Sequence, residues 1–244
     1  QPDPKVVDLA LASWPLWSEY WIGNGPAVVD SSGHGHFWTL DDALAAISNV
    51  GLKLIHVVTG TYDDPVTAFY QEDVLIFGEG PATLVTNVNS TTDEALTIDQ
   101  ANCTVRDLAV STATGGAGGN VDAILISDSG VALIDVEVLD SDDDAVVVTG
   151  ANVTLQGIRI TDADGVGFNL GGANTSVRGA GPVFSVGSSA FWITAAGDGF
   201  SITGSDFQDE NGTVAPGGDN GILDGLRMGT VQDYGTGNTS GDIE

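Results

Sequence analysis

The chain has 244 residues and carries 34 Asp plus Glu against 6 Lys plus Arg, a formal net charge of −28. Such a surface repels a phosphate backbone, which argues against a nucleic-acid partner. A hydrophobic content of 42% is too high for a disordered acidic tail, and no apolar run is long enough to span a membrane. One elongated domain accounts for the length without a second.

Residues 1–27 carry Trp14, Trp17, Tyr20 and Trp21 around Pro15, three of the five tryptophans of the chain. They read either as a cap on the first coil of the main domain or as an aromatic arm for assembly, since aromatic residues concentrate at interface centres. Val28-Val29-Asp30 then leads through Gly33-His34-Gly35-His36 to a short helix. Thr39 is its expected N-cap, Asp41 and Asp42 suit its positive end, and Leu40, Ala43, Leu44 and Ile47 form one apolar face. His34 and His36 alternate as a metal pair would, but no third ligand accompanies them, so a loop is expected. Leu54-Ile55-His56-Val57-Val58 is a strand that closes on Gly60-Thr61-Tyr62.

The rest of the chain is organised by residues 94–160. Glu94-Ala95-Leu96-Thr97-Ile98, Asp122-Ala123-Ile124-Leu125-Ile126 and Asp144-Ala145-Val146-Val147-Val148 share one pattern, an acid, an alanine and a short apolar run. Each is followed by an alternating segment: Cys103, Val105, Leu108 and Val110 match Val131, Leu133, Val136 and Val138, and then Val153, Leu155, Ile158 and Ile160. The step is 22 residues between the second and third copies and 28 between the first and second, the excess falling in a Gly-rich insertion at 115–119. Short strands repeating at this length, with no helix between them, predict the coils of a β-solenoid. Before the second strand of each coil stands Asn102, Gly130, Asn152 or Asn174, with Asp73 and Gly199 extending the column. These residue types tolerate positive φ and predict a left-handed corner. Gly78, Gly157, Gly179 and Gly204 form a second column suited to a bend. Cys103 falls on an inward position and reads as a small core residue. The coils weaken after Gly165 and run to about residue 210. Residues 211–244 shift to Gly, Asp, Asn and Thr and read as a tail around one last partial coil, Gly221-Ile222-Leu223.

The coil length, the Asn/Gly corner and the opening of helix, strand, Gly-Thr-Tyr and Asp73-Val74-Leu75-Ile76-Phe77-Gly78 resemble the right-handed parallel β-helix of the pectin-lyase-like superfamily over roughly residues 28–210. The resemblance implies an all-β solenoid of about six or seven coils, with an aromatic arm at 1–27 and the tail at 211–244. The helix would cover the open N-terminal end. It does not imply an activity, because that scaffold carries lyases, hydrolases, viral spikes and adhesins alike.

Stacking at a 22-residue step sets Asp140 over Asp162 and Asp142 over Asp164 at about 5 Å. Asp140, Asp142, Asp162 and Asp164 are therefore candidate ligands for a structural cation (calcium, sodium, potassium or magnesium), beside the plainer reading of a solvated acidic turn. Asn120-Val121-Asp122 followed one coil later by Asp143-Asp144 is similar to the acid set of polygalacturonases. In that family one carboxyl protonates the leaving oxygen and another activates water. The resemblance implies catalytic roles for Asp122, Asp143 and Asp144. The Gly-His-Gly and Arg-Ile-Lys segments of that family have no counterpart: Asp164-Gly165-Val166-Gly167 lacks a histidine, and Arg159-Ile160 runs into Thr161. Pectate lyases use an arginine beside calcium, and only Arg159 approaches the acids. Asn89, Asn211 and Asn238 sit in glycosylation sequons outside the corner column.

The composition resembles that of proteins from salt-loving organisms. With the incomplete catalytic set, it leads to the expectation of a non-catalytic virion surface protein, a spike, turret or tail component of a virus of a halophilic archaeon. Such a protein would be extracellular in high salt and homo-oligomeric, as a trimer first and a pentamer second. It would bind other virion proteins through Trp14, Trp17, Tyr20 and Trp21, and host surface glycan or glycoprotein through Trp38, Phe191 or Trp192. The alternatives are a polysaccharide-degrading enzyme of the same fold and a haloarchaeal cell-surface adhesin.

Overall fold

The repeat folds as stacked coils. The computed structural model describes residues 27–48, 53–63, 65–87, 94–112, 121–183, 186–194, 196–208, 210–233, 235–241 and 243. The aromatic arm, the Gly-rich insertion and Asn89 lie outside these residues. In chain order the elements are β1 (Ala27–Val29), α1 (Leu40–Ser48), β2 (Leu54–Val57), β3 (Gly60–Asp63), β4 (Leu75–Phe77), β5 (Thr83–Thr86), β6 (Leu96–Ile98), β7 (Thr104–Ser111), β8 (Ile124–Ile126) and β9 (Ala132–Asp140). They continue with β10 (Val146–Val148), β11 (Thr154–Gln156), β12 (Arg159–Ile160), β13 (Val166–Leu170), β14 (Ser176–Arg178), β15 (Ser189–Ile193) and β16 (Ser201–Thr203). The last four are β17 (Gly212–Val214), β18 (Ile222–Asp224), β19 (Val231–Asp233) and β20 (Thr239–Ser240).

All strand pairs are parallel and fall into two sheets. The first runs β1-β2-β4-β7-β9-β11-β14-β16-β18-β20, with β3, β5 and β12 beside that path, and the second runs β19-β17-β15-β13-β10-β8-β6. From β6 onward each coil gives one strand to the second sheet and the next to the first, which is the alternation of a parallel β-helix. Seven coils, β6–β7 through β19–β20, contribute to both sheets. The Gly/Asp-rich residues after 210, which read as a tail with one partial coil, carry β17 to β20 in continuous register with the coils before them.

The registers match the sequence repeat. Val146 pairs with Ile124 and Phe168, and Leu155 pairs with Leu133 and Val177, so like residues stack. In the three-residue strands of the second sheet from β6 to β10, the outer two side chains are buried and the middle one faces outward. The inward columns form one core from Ala27 to Met228 that includes Cys103. Burying each Val, Leu, Ile or Phe there contributes roughly 1.5–3 kcal/mol.

The corner column takes the left-handed conformation throughout. Asp73, Asn102, Asn152 and Asn174 have φ of 56–60°, and Gly130 and Gly199 have 72° and 70°. Asn220 at 57° and Gly237 at 70° extend it through the last two coils. The side chains link one coil to the next: Asn102 Nδ2 donates to Asp73 Oδ1 at 3.3 Å and Asn174 Nδ2 to Asn152 Oδ1 at 3.1 Å. Helix α1 is capped as expected, with the Asp42 N–H donating to Thr39 Oγ1 at 3.1 Å. It buries Leu40, Ala43, Leu44 and Ile47 and packs on β1. Among the described residues no helix is long and apolar enough to cross a membrane.

Candidate functional site

Asp122 and Asp144 occupy the same position of successive coils, two residues before β8 and β10. Each carboxylate accepts an N–H from the next coil. Asp144 N donates to Asp122 Oδ1 at 3.1 Å, and Val166 N donates to Asp144 Oδ1 at 2.7 Å. The recurring acid thus has a structural task, tying one coil to the next. Asp144 Oδ2 is also held, by Asn169 Nδ2 at 2.7 Å. The turn below is pinned by the buried Ser141, whose hydroxyl donates to the Asp144 carbonyl at 2.8 Å.

Asp143 sits beside this pair, and among the described residues its carboxylate receives no hydrogen bond. Gly165 from the next coil lies directly against the acids. A Cβ there would come within 2.6 Å of Asp143 Oδ1 and would also strike Asp144 Oδ1. The missing side chain is what leaves room for three carboxyls together. Asp122, Asp143 and Asp144 each place one oxygen within 4.8 Å of the others, and each is partly exposed. Packed so closely, their negative charges oppose one another. Burial first, then the Asp144, Asp143 and Glu94 charges, push the Asp122 carboxyl up to about 7. Burial, then Asp144 and Asp164, raise Asp143 as well.

A carboxyl pushed up to about 7 keeps a proton for part of the time at neutral pH. That arrangement can donate a proton to a leaving oxygen, and it can equally hold a cation through the three oxygens. The other expected cation set behaves differently. Asp140 is raised by burial and by the Asp162, Asp142 and Asp164 charges, which brings these four into electrostatic reach of each other. Among the described residues, however, the oxygens that converge to within 4.8 Å are those of Asp122, Asp143 and Asp144.

The expected aromatic contacts divide. Trp192 is 44% exposed and Trp38 66%. Phe191 is fully buried, which corrects its assignment as a surface contact. It pairs with Phe168 on one side and Gly212 on the other, and its ring packs 5.6 Å from that of Phe207. Strand parity sends Phe191 inward and Trp192 outward. Asn169 belongs to no motif that the sequence displays. It alternates with the buried Phe168 and Leu170, a parity that marks it as outward-facing on the second sheet. Trp38 lies far along the chain from the acids, near a local turn in which Ser32 Oγ bonds Asp30 at 2.6 Å and His34 Nδ1 at 2.9 Å. His36 turns the other way, its Nδ1 accepting from Val28 N at 3.1 Å, so the two histidines do not converge. His56 stacks on Phe77 at 4.7 Å and faces Glu79 at 3.1 Å, a structural role. A groove of about 550 Å³ bounded by residues 180–182, 204–206 and 225–227 contains one ion pair, Arg227 with Asp206 at 3.3 Å, and none of the clustered acids.

No protein-family model matches the chain, and no curated protein sequence matches it. Among solved structures, a pectin methylesterase from carrot is similar at 16% identity and a TM-score of 0.46, over 91% of this chain and 89% of that one. The pectin methylesterase from Aspergillus niger is similar at 13% identity, over 88% of this chain and 86% of that one. Its TM-score is 0.49 in a penultimately deglycosylated form and 0.48 in a deglycosylated form.

Proposed function

We propose that the protein is a polysaccharide-degrading enzyme that hydrolyses a glycosidic bond at Asp122 and Asp143. The observation that carries this reading is the approach of the carboxyl oxygens to within 4.8 Å, with the Asp122 carboxyl pushed up to about 7. Asp122 is the proton donor to the leaving glycosidic oxygen. Asp143, unencumbered by hydrogen bonds among the described residues, is the carboxylate that adds to the anomeric carbon. Asp144 has both oxygens bonded and serves as a positioning residue, with its N–H holding Asp122. An approach this close belongs with the short carboxyl spacing of retaining glycosidases, about 5–5.5 Å, and not with the roughly 6.5–9.5 Å of inverting ones. In the second half of the reaction Asp122 takes a proton from water as that water displaces Asp143 from the sugar.

The test is release of reducing ends from a panel of polysaccharides. Asp143→Asn and Asp122→Asn should each abolish release while leaving the circular dichroism spectrum unchanged. Turnover that survives Asp143→Asn would remove the proposal, as would no turnover on any member of the panel.

The hydrogen bonds from Asp122 and Asp144 to the next coil support a second reading, because they give these acids a purpose without catalysis. Under it the protein is a surface component of a virion from a halophilic archaeon, assembled as a homo-oligomer, trimer first, through the aromatic arm. It would hold host glycan without cleaving it. The net charge of −28 suits brine. Glycan binding without reducing-end release, together with a stable oligomer in high salt, selects this reading over the first.

A further inference from the structure

We infer that the glycan taken by this face carries no carboxylate or sulfate groups, and that Trp192 is its stacking platform. The inference deepens the proposed hydrolysis and rests on the acids at 122, 143 and 144 being the reactive site.

The outer face of the second sheet joins the acids to the tryptophan. Val147, Asn169, Trp192 and Thr213 stand side by side in register on β10, β13, β15 and β17. Asn169 ties this column to the acid group through its bond to Asp144 Oδ2 at 2.7 Å. Trp192 is the next outward residue, about 5 Å further along the stack at ordinary strand spacing. An exposed indole at that step lies roughly one sugar ring beyond the acids. Its apolar face can pack on a ring's C–H groups while the rim of the sugar stays wet.

Charge decides what sugar that is. The described cations are Lys53, Arg106, Arg159, Arg178 and Arg227. Arg106, Arg159 and Arg178 lie on β7, β12 and β14 of the first sheet. Lys53 pairs with Asp73 at 2.8 Å just before β2, and Arg227 pairs with Asp206 in an isolated bridge that follows β16 and β18 of the first sheet. Among the described residues, no strand of the second sheet carries a cation to receive an anionic sugar. The face instead presents the acids at 122, 143 and 144, so a uronate or sulfate polymer would meet like charge with no cationic side chain on the described second-sheet strands to offset it.

The experiment is affinity electrophoresis of the full chain carrying Asp143→Asn, so that binding is read without turnover. The gels contain neutral polysaccharides (a glucan, a mannan, a galactan, a xylan) or polygalacturonate, and are run at low and high salt. Retardation by at least one neutral polymer is expected, with no retardation by polygalacturonate at low salt. Adding Trp192→Ala should weaken the neutral binding about tenfold, and Trp192→Phe should restore most of it. Polygalacturonate bound as tightly as the best neutral polymer overturns the inference. So does indifference to Trp192→Ala, and so does failure to bind any neutral polymer. The two readings fail separately. Trp192-dependent neutral binding with no reducing ends released by the unsubstituted chain removes hydrolysis and keeps this inference. Release from a uronate polymer does the reverse.

Discussion

Asn152 and Asp122 show what single side chains do in this molecule. Asn152 holds φ at 58° and accepts from Asn174. Asn152→Ala puts a Cβ where the left-handed conformation costs about 1–2 kcal/mol and removes an inter-coil hydrogen bond of about 1 kcal/mol. Chemical denaturation should show a loss of that order, and Asn152→Gly should lose clearly less. Equal losses would mean that the corner is not what the asparagine serves. Asp122 acts through pH. Its folded value is about 7 against 3.8 for the free side chain, so between those values the native state holds a proton that the unfolded chain has released. Stability therefore falls as pH rises through that window. Asp122→Asn keeps an oxygen for the Asp144 N–H and cannot ionise. Its melting temperature should match the unsubstituted protein near pH 4 and exceed it at pH 8. A variant less stable at pH 8 would contradict the assigned shift. The corner column is legible in the sequence because left-handed backbone narrows the choice to Asn, Asp and Gly. The bend column is only half legible: Asp107 and Asp135 take φ of 56° and 53° there, but a search for glycine alone passes over them.

Between strands, size complementarity fixes the register. Phe191 on β15 stacks over Gly212 on β17, and a Cβ on Gly212 would run into the Phe191 ring. Phe200 and Gly221 repeat the arrangement on the other side of the coil. Gly212→Ala should overpack this layer and cost about 1–3 kcal/mol. Phe191→Leu alone should cost stability through lost burial, yet in combination with Gly212→Ala it should recover part of the loss. A double-mutant cycle with no coupling would show that the two residues do not share the layer. The same pair marks a limit of the sequence. Phe191 and Trp192 are adjacent aromatics, and composition does not tell which points inward. Only the pairing of Phe191 with Phe168 and Gly212 decides. The coils themselves are readable between residues 94 and 160, where the period is intact. They fade after 210 because glycine replaces the apolar residues that mark a strand, although β17 to β20 pair there. Asp122 and Asp144 are visible as a repeat and Asp143 as the neighbour of the second, but their convergence needs Gly165, whose significance lies in the side chain it lacks.

At the scale of the whole molecule the dominant fact is a net charge of −28 on one solenoid. Coils stacked at about 4.8 Å place like residues in columns, so the acids are aligned as well as abundant. Unfolding separates them, and the native state carries the larger self-repulsion. Mobile ions reduce it: the screening length falls from about 10 Å at 0.1 M salt to about 3 Å at 1 M. The melting temperature at pH 8 should rise with sodium chloride, and it should rise most steeply at the low end, where screening length changes most. Salt also strengthens apolar burial, which would raise stability without any charge effect. Acid separates the two causes. Near pH 4.5 the raised carboxyls, Asp122, Asp140 and Asp143, retain protons to a greater extent, so the repulsion to be screened is smaller. The increment gained from salt should then shrink at pH 4.5 relative to pH 8 if screening is the cause, and be equal at both if burial is. An equal increment, or a melting temperature that falls with salt at pH 8, would refute the view that charge repulsion limits this fold.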